Sequence, residues 1–340
     1  MTKAAAAKAA EAAARAAEAA ATALDIIIDE DWEWRLKDLP EFATATGDHR
    51  YDDRLDDRSL AAYDQRIKWS KSVLVRVKAW EHQFGSGSGS GSGSDGGSGG
   101  DPPQELADAR VSARLLAHHA RSVCEGGQFG TFLCPINRLE GPHTELPQLI
   151  EYMKFETLKD YEKYVSRLKG VPLALAQVTA LLKRGVVTGM LPPLVGLEGV
   201  ADQLASVVAY LAPGKVKESP FWRDAPTSAA VAAAGATLEG EAVAALAAAR
   251  DSFEALRRHF VDDYEPAVRR LRGPEGTACH DLPRGKDLYA CCLAFHTGSR
   301  TLTAKTIHET GLSEVARIGR EMHAACVVSF GLGWVVGGLS

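Results

Sequence analysis

The chain has 340 residues, of which 46% are hydrophobic and 24% are charged, enough for one large folded domain or two smaller ones. A net charge of −5 provides no basic surface, which argues against nucleic acid or an acidic membrane as the main partner. No run approaches the ~18 consecutive apolar residues that are typical of a membrane-spanning helix.

The first 23 residues are mostly alanine, the strongest helix former. Glu11 and Arg15 lie four positions apart in the order that stabilises a helix. We predict an alanine-rich helical extension over residues 1–23 with little to pack against. The alternative is a partner-binding helix through which copies of the chain assemble.

The N-terminus and the cysteines favour a cytoplasmic location. Charged residues interrupt the alanines, so the first residues lack the continuous apolar core of a secretory signal. The six cysteines form no CxxC pair, and Cys291 and Cys292 are adjacent, a poor arrangement for a structural disulfide. We expect reduced thiols.

Amphipathic character begins at Leu24, which shares a helix face with Ile28 and Trp32. We predict a single helical domain over residues 24–326. Residues 85–100 read GSGSGSGSGSDGGSGG, the composition of a flexible coil with a span of roughly 20–24 Å.

Helical signals dominate the rest of the chain, and no convincing alternation of period two indicates a strand. Thr157 and Asp160 form the pattern of a capping box. We predict helices over residues 103–124, from 158, from Pro172 towards residue 192, and over 194–212, 237–265, 285–296 and 303–325, the last broken near Gly311. The predicted fold class is all-α, a multi-helix and mostly antiparallel array.

Metal and nucleophile motifs are incomplete in this sequence. His308-Glu309 begins like a zinc-peptidase helix, but position 312 is leucine where a second histidine is needed. His118 and His119 are adjacent, so they point about 100° apart on a helix. No phosphate-binding loop or nucleophile elbow is present. We assign no catalytic residue and no metal ligand.

Three segments are rich in polar side chains that are typical of binding sites. Residues 48–53 either line a cleft or form a polar loop whose turn is set by Gly47. In residues 135–143, Asn137, Glu140 and His143 are spaced three apart, and this segment is either a substrate-contacting loop or a buried hydrogen-bonded turn.

The third segment, residues 289–297, contains Tyr289 and His296. A histidine at the end of a helix is stabilised as a cation by the helix dipole, and it is also well placed to donate to a substrate oxyanion. The substrate-cleft candidates are therefore Asn137, Glu140, His143, Tyr289 and His296.

Several long stretches together resemble the domain-of-unknown-function 885 family, large helical proteins that look like zinc peptidases. The stretches are DEDWEWRLKDLPEFATATGDHRYDDRL (29–55), FLCPINRLEGPHTELPQLIEYMKFETLKDYEKYVSRL (132–168), LLKRGVVTGMLPP (181–193), ESPFW (218–222) and LYACCLAFHTGSRTLTAKTIHETGLSEVARIGREM (288–322). The resemblance implies an architecture like the N-terminal lobe of helical zinc carboxypeptidases. It also places the Gly-Ser run in a loop between two helices of one domain, so both flanking helices should pack together.

The resemblance also implies a function. The family's metal helix, a His-Glu followed by Pro-Gly-His-His, lies beyond the matching segments, and residues 327–340 do not look like family sequence. We therefore expect an N-terminal fragment of a zinc-dependent peptidase that lacks the metal site and is inactive alone. Zinc and a peptide substrate are implied only for full-length relatives. The alternative is a non-catalytic helical scaffold that binds peptides or a partner protein, and the oligomeric state stays open.

Overall fold

The computed structural model describes residues 3–85, 103–226, 232–273 and 275–330. These residues form α-helices and short 3₁₀ or π turns with no β-strand, which confirms the predicted all-α fold. The α-helices are α1 (Lys3–Asp38), α2 (Pro40–Ala45), α3 (Leu60–Phe84), α4 (Gln104–Gly127), α5 (Pro142–Glu151), α6 (Leu158–Thr188), α7 (Val200–Tyr210), α8 (Ala232–His259), α9 (Glu265–Arg272), α10 (Gly285–Thr297) and α11 (Ala304–Phe330).

The chain divides into two compact units. The first ends at Pro283 and contains α1 to α9, and the second begins at Arg284 and contains α10 and α11. The predicted division into an extension, one domain and a tail stays a prediction. The Gly-Ser insertion lies outside the described residues except for Gly85, as do residues 331–340 of the predicted tail.

A large apolar core of the first unit surrounds α6 and α8. The predicted apolar stripe of α6 faces this core, and its residues Tyr161, Tyr164 and Leu168 are all buried. Phe253, near the C-terminal end of α8, and Phe260, just beyond it, are also fully buried in this core. Aromatic side chains contribute the most buried area per residue, so this core dominates the burial of the unit.

A second core joins α1, α3 and α4 through small side chains. Four alanines of α4 are buried at a spacing of three or four positions: Ala109, Ala113, Ala117 and Ala120. They face Val73, Val77 and Trp80 of α3. The helices on either side of the Gly-Ser run therefore pack together, as expected for an insertion within one domain.

The alanine-rich segment is helical, but the expectation that it has little to pack against is wrong. Residues 3–38 form one continuous helix, and Ala17 and Ala20 are buried. The indole Nε1 of Trp80 donates to the carbonyl of Ala20 at 2.8 Å. The small alanine side chain allows helices to approach closely. An alanine-rich sequence is therefore compatible with a helix packed in the core as well as with a free extension.

Helix α6 begins and ends as a strong helix should. Thr157 and Asp160 form the predicted capping box, with each side chain bonded to the other residue's backbone N–H. Gly189 ends the helix in the left-handed conformation, at φ 76°. The predicted new helix at Pro172 is wrong, since α6 continues through it. Packing of residues on both sides of the proline outweighs the lost hydrogen bond.

One helix among the described residues, α6, is long and apolar enough by length and composition to cross a membrane. It is also the central core helix of the first unit, and core helices pass the same test. This is weak evidence for a span, and no other described helix qualifies.

In the second unit, α10 starts after Arg284, which has a positive φ of 54°. Helix α11 runs unbroken through Gly311, so the predicted break there is wrong. One glycine costs a helix about 1 kcal/mol, which flanking helix formers offset. None of the described side chains of α11, residues 304–326, is buried.

Candidate functional site

The loop before α5 holds two of the predicted cleft residues in one hydrogen-bonded turn. The Asn137 side-chain oxygen accepts from the backbone N–H of Leu139 at 2.8 Å and of Glu140 at 3.0 Å. Its amide nitrogen donates to the Glu140 carboxylate at 3.2 Å. These bonds satisfy both side chains within the turn, although both side chains stay accessible to solvent.

His143 lies one helical turn further on and is only 4% exposed. Its Nε2 bonds the side-chain oxygen of Gln203 at 3.1 Å, and Gln203 in turn donates to the carbonyl of Arg138 at 3.1 Å. Burial lowers the pKa of His143, and the bond to Gln203 opposes that shift only in part. The imidazole is therefore neutral near pH 7, with its proton on Nε2.

The other ring nitrogen of His143, Nδ1, is buried and has no hydrogen-bond partner among the described residues. Such a lone pair costs free energy where it lies, so it calls for an explanation. A neutral imidazole with a bare nitrogen is chemically a base or a metal ligand. At 4% exposure, however, His143 is almost closed off from solvent, and its side-chain contact is with Gln203.

An ion cluster connects this turn to the segment before α3. Arg58 donates to both carboxylate oxygens of Glu41, at 2.7 and 2.9 Å, and lies 3.5 Å from the carboxylate of Glu145. Glu145 also accepts from the backbone N–H of Gly141 at 3.2 Å. The guanidinium of Arg58 thus links two carboxylates that would otherwise repel each other.

Asp56 lies in the same cluster: its carboxylate accepts from the Glu41 backbone N–H at 2.9 Å, and its own backbone N–H donates to the Glu41 carboxylate at 3.0 Å. Burial, followed by repulsion from the Glu41 carboxylate, raises the pKa of Asp56 from 3.8 to about 7. Arg58 and the bond from the Glu41 N–H oppose the rise. A carboxyl that titrates near neutrality among charged neighbours is a feature of functional sites and of structural ion clusters alike.

A fully buried arginine of α6 organises the polar segment at residues 48–54. Arg167, 2% exposed, donates to the carbonyls of Arg54 at 2.9 Å and Tyr51 at 3.1 Å, and to the hydroxyl of Thr44 at 2.8 Å. Its guanidinium lies 3.8 Å from the buried carboxylate of Asp52. The segment is therefore a polar loop turned at Gly47, whose φ is +90°.

Tyr289 and His296 lie in the second unit, seven positions apart on α10, so they share a helix face. Tyr289 is exposed, and His296 is in the last turn of the helix with its ring 5.0 Å from that of Phe295. The structure thus places Asn137 and Glu140 in one turn, with His143 just after it at the start of α5, and places Tyr289 and His296 on one face of α10. A cleft formed by all five stays a prediction.

Sequence reasoning missed three polar residues that join separate segments of the chain, Arg58, Asp56 and Arg167. Their partners come from distant parts of the chain, for example Arg167 and Arg54 at a separation of 113 positions. One signal was available: an arginine inside the apolar stripe of α6, between Tyr164 and Leu168. A charge there is rarely buried unless it is paired.

We tested whether residues of this chain suit the zinc that the resemblance implies. Across the described residues, no group of three or more His, Cys, Asp or Glu side chains converges on a point where it could hold a metal ion. The described residues therefore do not fit a zinc site. Zinc for full-length relatives stays an expectation.

Comparison with known proteins places the chain in a family without assigning a reaction. No curated protein matches it. The family model described as "Bacterial protein of unknown function (DUF885)" matches residues 40–329. Because this match spans most of the chain and includes both units, the protein belongs to the DUF885 family.

Proposed function

We propose that this chain is the N-terminal lobe of a zinc-dependent peptidase or related hydrolase and is not catalytic by itself. The observation that carries the proposal is the uncovered apolar face of α11. The family resemblance supplies the reaction class, and the turn at residues 137–143 supplies one wall of the proposed substrate cleft. We further propose a cytoplasmic location, consistent with six cysteines that form no disulfide in the structure.

The apolar residues of α11 lie on one side of the helix. At 100° per residue, Leu312, Val315 and Met322 fall within one third of the circumference. Each of these three side chains is at least 60% exposed, and Ile318 beside them is 45% exposed. The small residues Gly311, Gly319 and Ala325 fill the same arc, which allows another helix to approach closely.

The opposite side of α11 carries polar and charged side chains that are exposed to water. Arg317 donates to Glu314 at 2.7 Å and to Glu321 at 2.7 Å. Ser313 and Arg320 complete that polar arc. A helix with one polar and one apolar face is typical of a surface helix whose apolar side is covered. An exposed apolar stripe of this length marks an interaction surface, and in our proposal a further segment of the enzyme covers it.

A dye-binding experiment tests this proposal. The double substitution Val315→Gln with Met322→Gln removes the centre of the stripe, whereas Ser313→Gln with Arg320→Gln changes two positions on the polar face. We expect the purified chain to bind a hydrophobic dye and to self-associate with rising concentration. The first variant should lose most of that signal, and the second should keep it.

The scaffold hypothesis predicts a different result, and the closed cores of the first unit favour it as a second candidate. A stand-alone scaffold should be monodisperse, bind little dye and melt in one cooperative transition. Equal dye binding by the two variants would contradict the proposed role of α11.

Activity gives a separate test of the catalytic part of the proposal. The purified 340-residue chain, supplied with zinc, should hydrolyse a mixture of unblocked peptides no faster than a sample treated with chelator. Zinc-dependent hydrolysis that follows the protein through purification would overturn the statement that the chain is not catalytic by itself.

A further inference from the structure

A groove in the first unit lies outside the predicted cleft. It has a volume of about 620 Å³ and is open to solvent. Its walls come from the C-terminal half of α1, the turn after α2, residue 154 beyond α5 and the start of α6. The lining residues are Trp32, Leu36, Thr46, Gly47, Asp48, His49, Arg50, Lys154 and Lys163.

One wall of the groove is apolar. The exposed Trp32 ring packs edge-on against Phe42, with 5.7 Å between ring centroids, whereas Leu36, one turn further along α1, is only 2% exposed. The Trp32 ring is therefore the apolar surface that a ligand can reach. Gly47 leaves the adjoining space open, because no atom lies within 4 Å of where its Cβ would be. An apolar group of a ligand has both a surface and room here.

The imidazole of His49 is held in a fixed orientation at the groove. Asp52, buried behind His49, accepts from the imidazole Nδ1 at 2.9 Å and from the Thr44 hydroxyl at 2.6 Å. A carboxylate only accepts, so this contact places the imidazole proton on Nδ1. Nε2 of His49 has no partner among the described residues, and in the neutral ring it can accept from an N–H or O–H group.

Positive charge lines the groove beside this acceptor. Arg50 is already neutralised by Asp48 at 2.6 Å and Glu33 at 2.9 Å. Lys163 donates one hydrogen bond to the carbonyl of His49 at 2.5 Å and keeps two further protons. Lys154 is exposed and has no ion pair within the described part of the chain. Lys163 also acts on the nearby carboxylate of Asp160, but neither lysine forms an ion pair among the described residues, so both can pair with a carboxylate of a ligand.

The buried side chain of Arg167 fixes the conformation of the loop that carries His49. Arg167 fixes the carbonyls of Tyr51 and Arg54 and lies against Asp52, yet its Nη1 has no partner among the described residues. A buried ion pair stabilises a protein little more than apolar residues of the same volume would. We therefore attribute to Arg167 a role in fixing the conformation of the loop. Pre-organisation of this kind is what a binding site requires.

The geometry points to a site for an N-acylated amino acid or a peptide C-terminus whose last side chain is apolar. The free carboxylate binds Lys154 and Lys163, the adjacent amide N–H donates to Nε2 of His49, and the apolar side chain lies on Trp32. This inference uses none of the residues of the proposed cleft, so it stands or falls apart from the proposed function.

Calorimetric titration of the intact chain with three matched probes tests the site. N-acetyl-phenylalanine carries the carboxylate, the N–H and the ring, its carboxamide lacks the charge, and 3-phenylpropionate lacks the N–H. We expect saturable binding of the first, and binding about tenfold or more weaker for each of the others, because each loses one charge-assisted or oriented hydrogen bond. A peptide ending in phenylalanine that binds more tightly than N-acetyl-phenylalanine identifies a peptide terminus as the natural ligand, and the reverse order identifies a free small molecule.

A matched pair of variants ties the binding to the groove. Lys154→Met should weaken binding of N-acetyl-phenylalanine about tenfold, whereas Lys159→Met, an exposed lysine of α6 that does not line the groove, should leave it unchanged. Equal affinity for the acid and its carboxamide, absence of saturation, or equal effects of the two lysine variants would overturn the inference.

Discussion

Helices α6 and α11 are both long and amphipathic, yet they end up in opposite environments. Helix α6 buries twelve residues, including Leu175, and lies at the centre of the first unit. Helix α11 buries none of its described side chains, and Leu312 is 60% exposed. Periodicity thus predicts that a helix has an apolar face, whereas only the rest of the fold decides whether that face is covered.

The largest expected effect contrasts an arginine of each helix. Arg167→Met should lower the free energy of unfolding by about 3–5 kcal/mol, because it leaves the Asp52 carboxylate buried without its cation. Arg317→Met removes only exposed ion pairs and should not shift the unfolding midpoint measurably. Urea denaturation of both variants measures the difference, and equal losses would break the comparison.

A matched pair of leucines tests apolar packing. Leu175→Ala should cost about 2–5 kcal/mol of unfolding free energy through lost burial and the cavity left behind. Leu312→Ala removes the same atoms from an exposed face and should fall within about ±0.5 kcal/mol. Thermal melts at low protein concentration measure both. A large loss for Leu312→Ala would show that α11 is covered in the isolated chain.

The pH dependence of stability sharpens the contrast between the units. Asp56 has its pKa raised in the folded state, so the folded chain binds more protons than the unfolded chain between pH 4 and pH 7. Stability contributed by this group is therefore lost as pH rises across that window, by up to about 1.4 kcal/mol per pH unit for one proton.

Asp56→Asn keeps an oxygen for the N–H of Glu41 and removes the titration. We expect the variant to show a flatter pH profile than the original chain and to be the more stable of the two at pH 8. Parallel profiles of the two proteins from pH 4 to pH 8 would show that Asp56 does not titrate in this range.

The smallest expected effect concerns the two helix caps. The Thr157 hydroxyl accepts from the Asp160 N–H and the Thr303 hydroxyl from the Thr306 N–H, both at 3.2 Å. Thr157→Ala should cost about 1 kcal/mol of global stability. Thr303→Ala should reduce only the helicity of α11, seen by circular dichroism, with an unchanged unfolding midpoint. A shifted midpoint for Thr303→Ala would mean that α11 unfolds together with the rest.

Much of the fold was predictable because local signals agreed with the tertiary structure. The stripe from Tyr161 to Leu168 and the capping box at Thr157 are both present as expected. The errors at Pro172 and Gly311 share one cause. Helix breakers act through local terms of about 1–3 kcal/mol, and neighbouring residues can offset terms of that size.

The sites were less predictable because their partners are distant in sequence. His143 depends on Gln203, sixty positions away, and the loop that carries His49 depends on Arg167. The sequence identified residues 48–53 as either a cleft or a polar loop, and the structure shows a loop of which Asp48, His49 and Arg50 line a groove. Nothing in local spacing pairs that loop with Lys154 and Lys163.

Hydrogen exchange of the intact chain, at a concentration where it is monomeric, tests the uncovered face of α11 most directly. A helix without tertiary partners is marginally stable in water, so its amides open readily. We predict that amides of α11 exchange orders of magnitude faster than those at the centre of α6. Equal protection of the two helices would contradict the account, because it would require a cover for the apolar face of α11 within the chain itself.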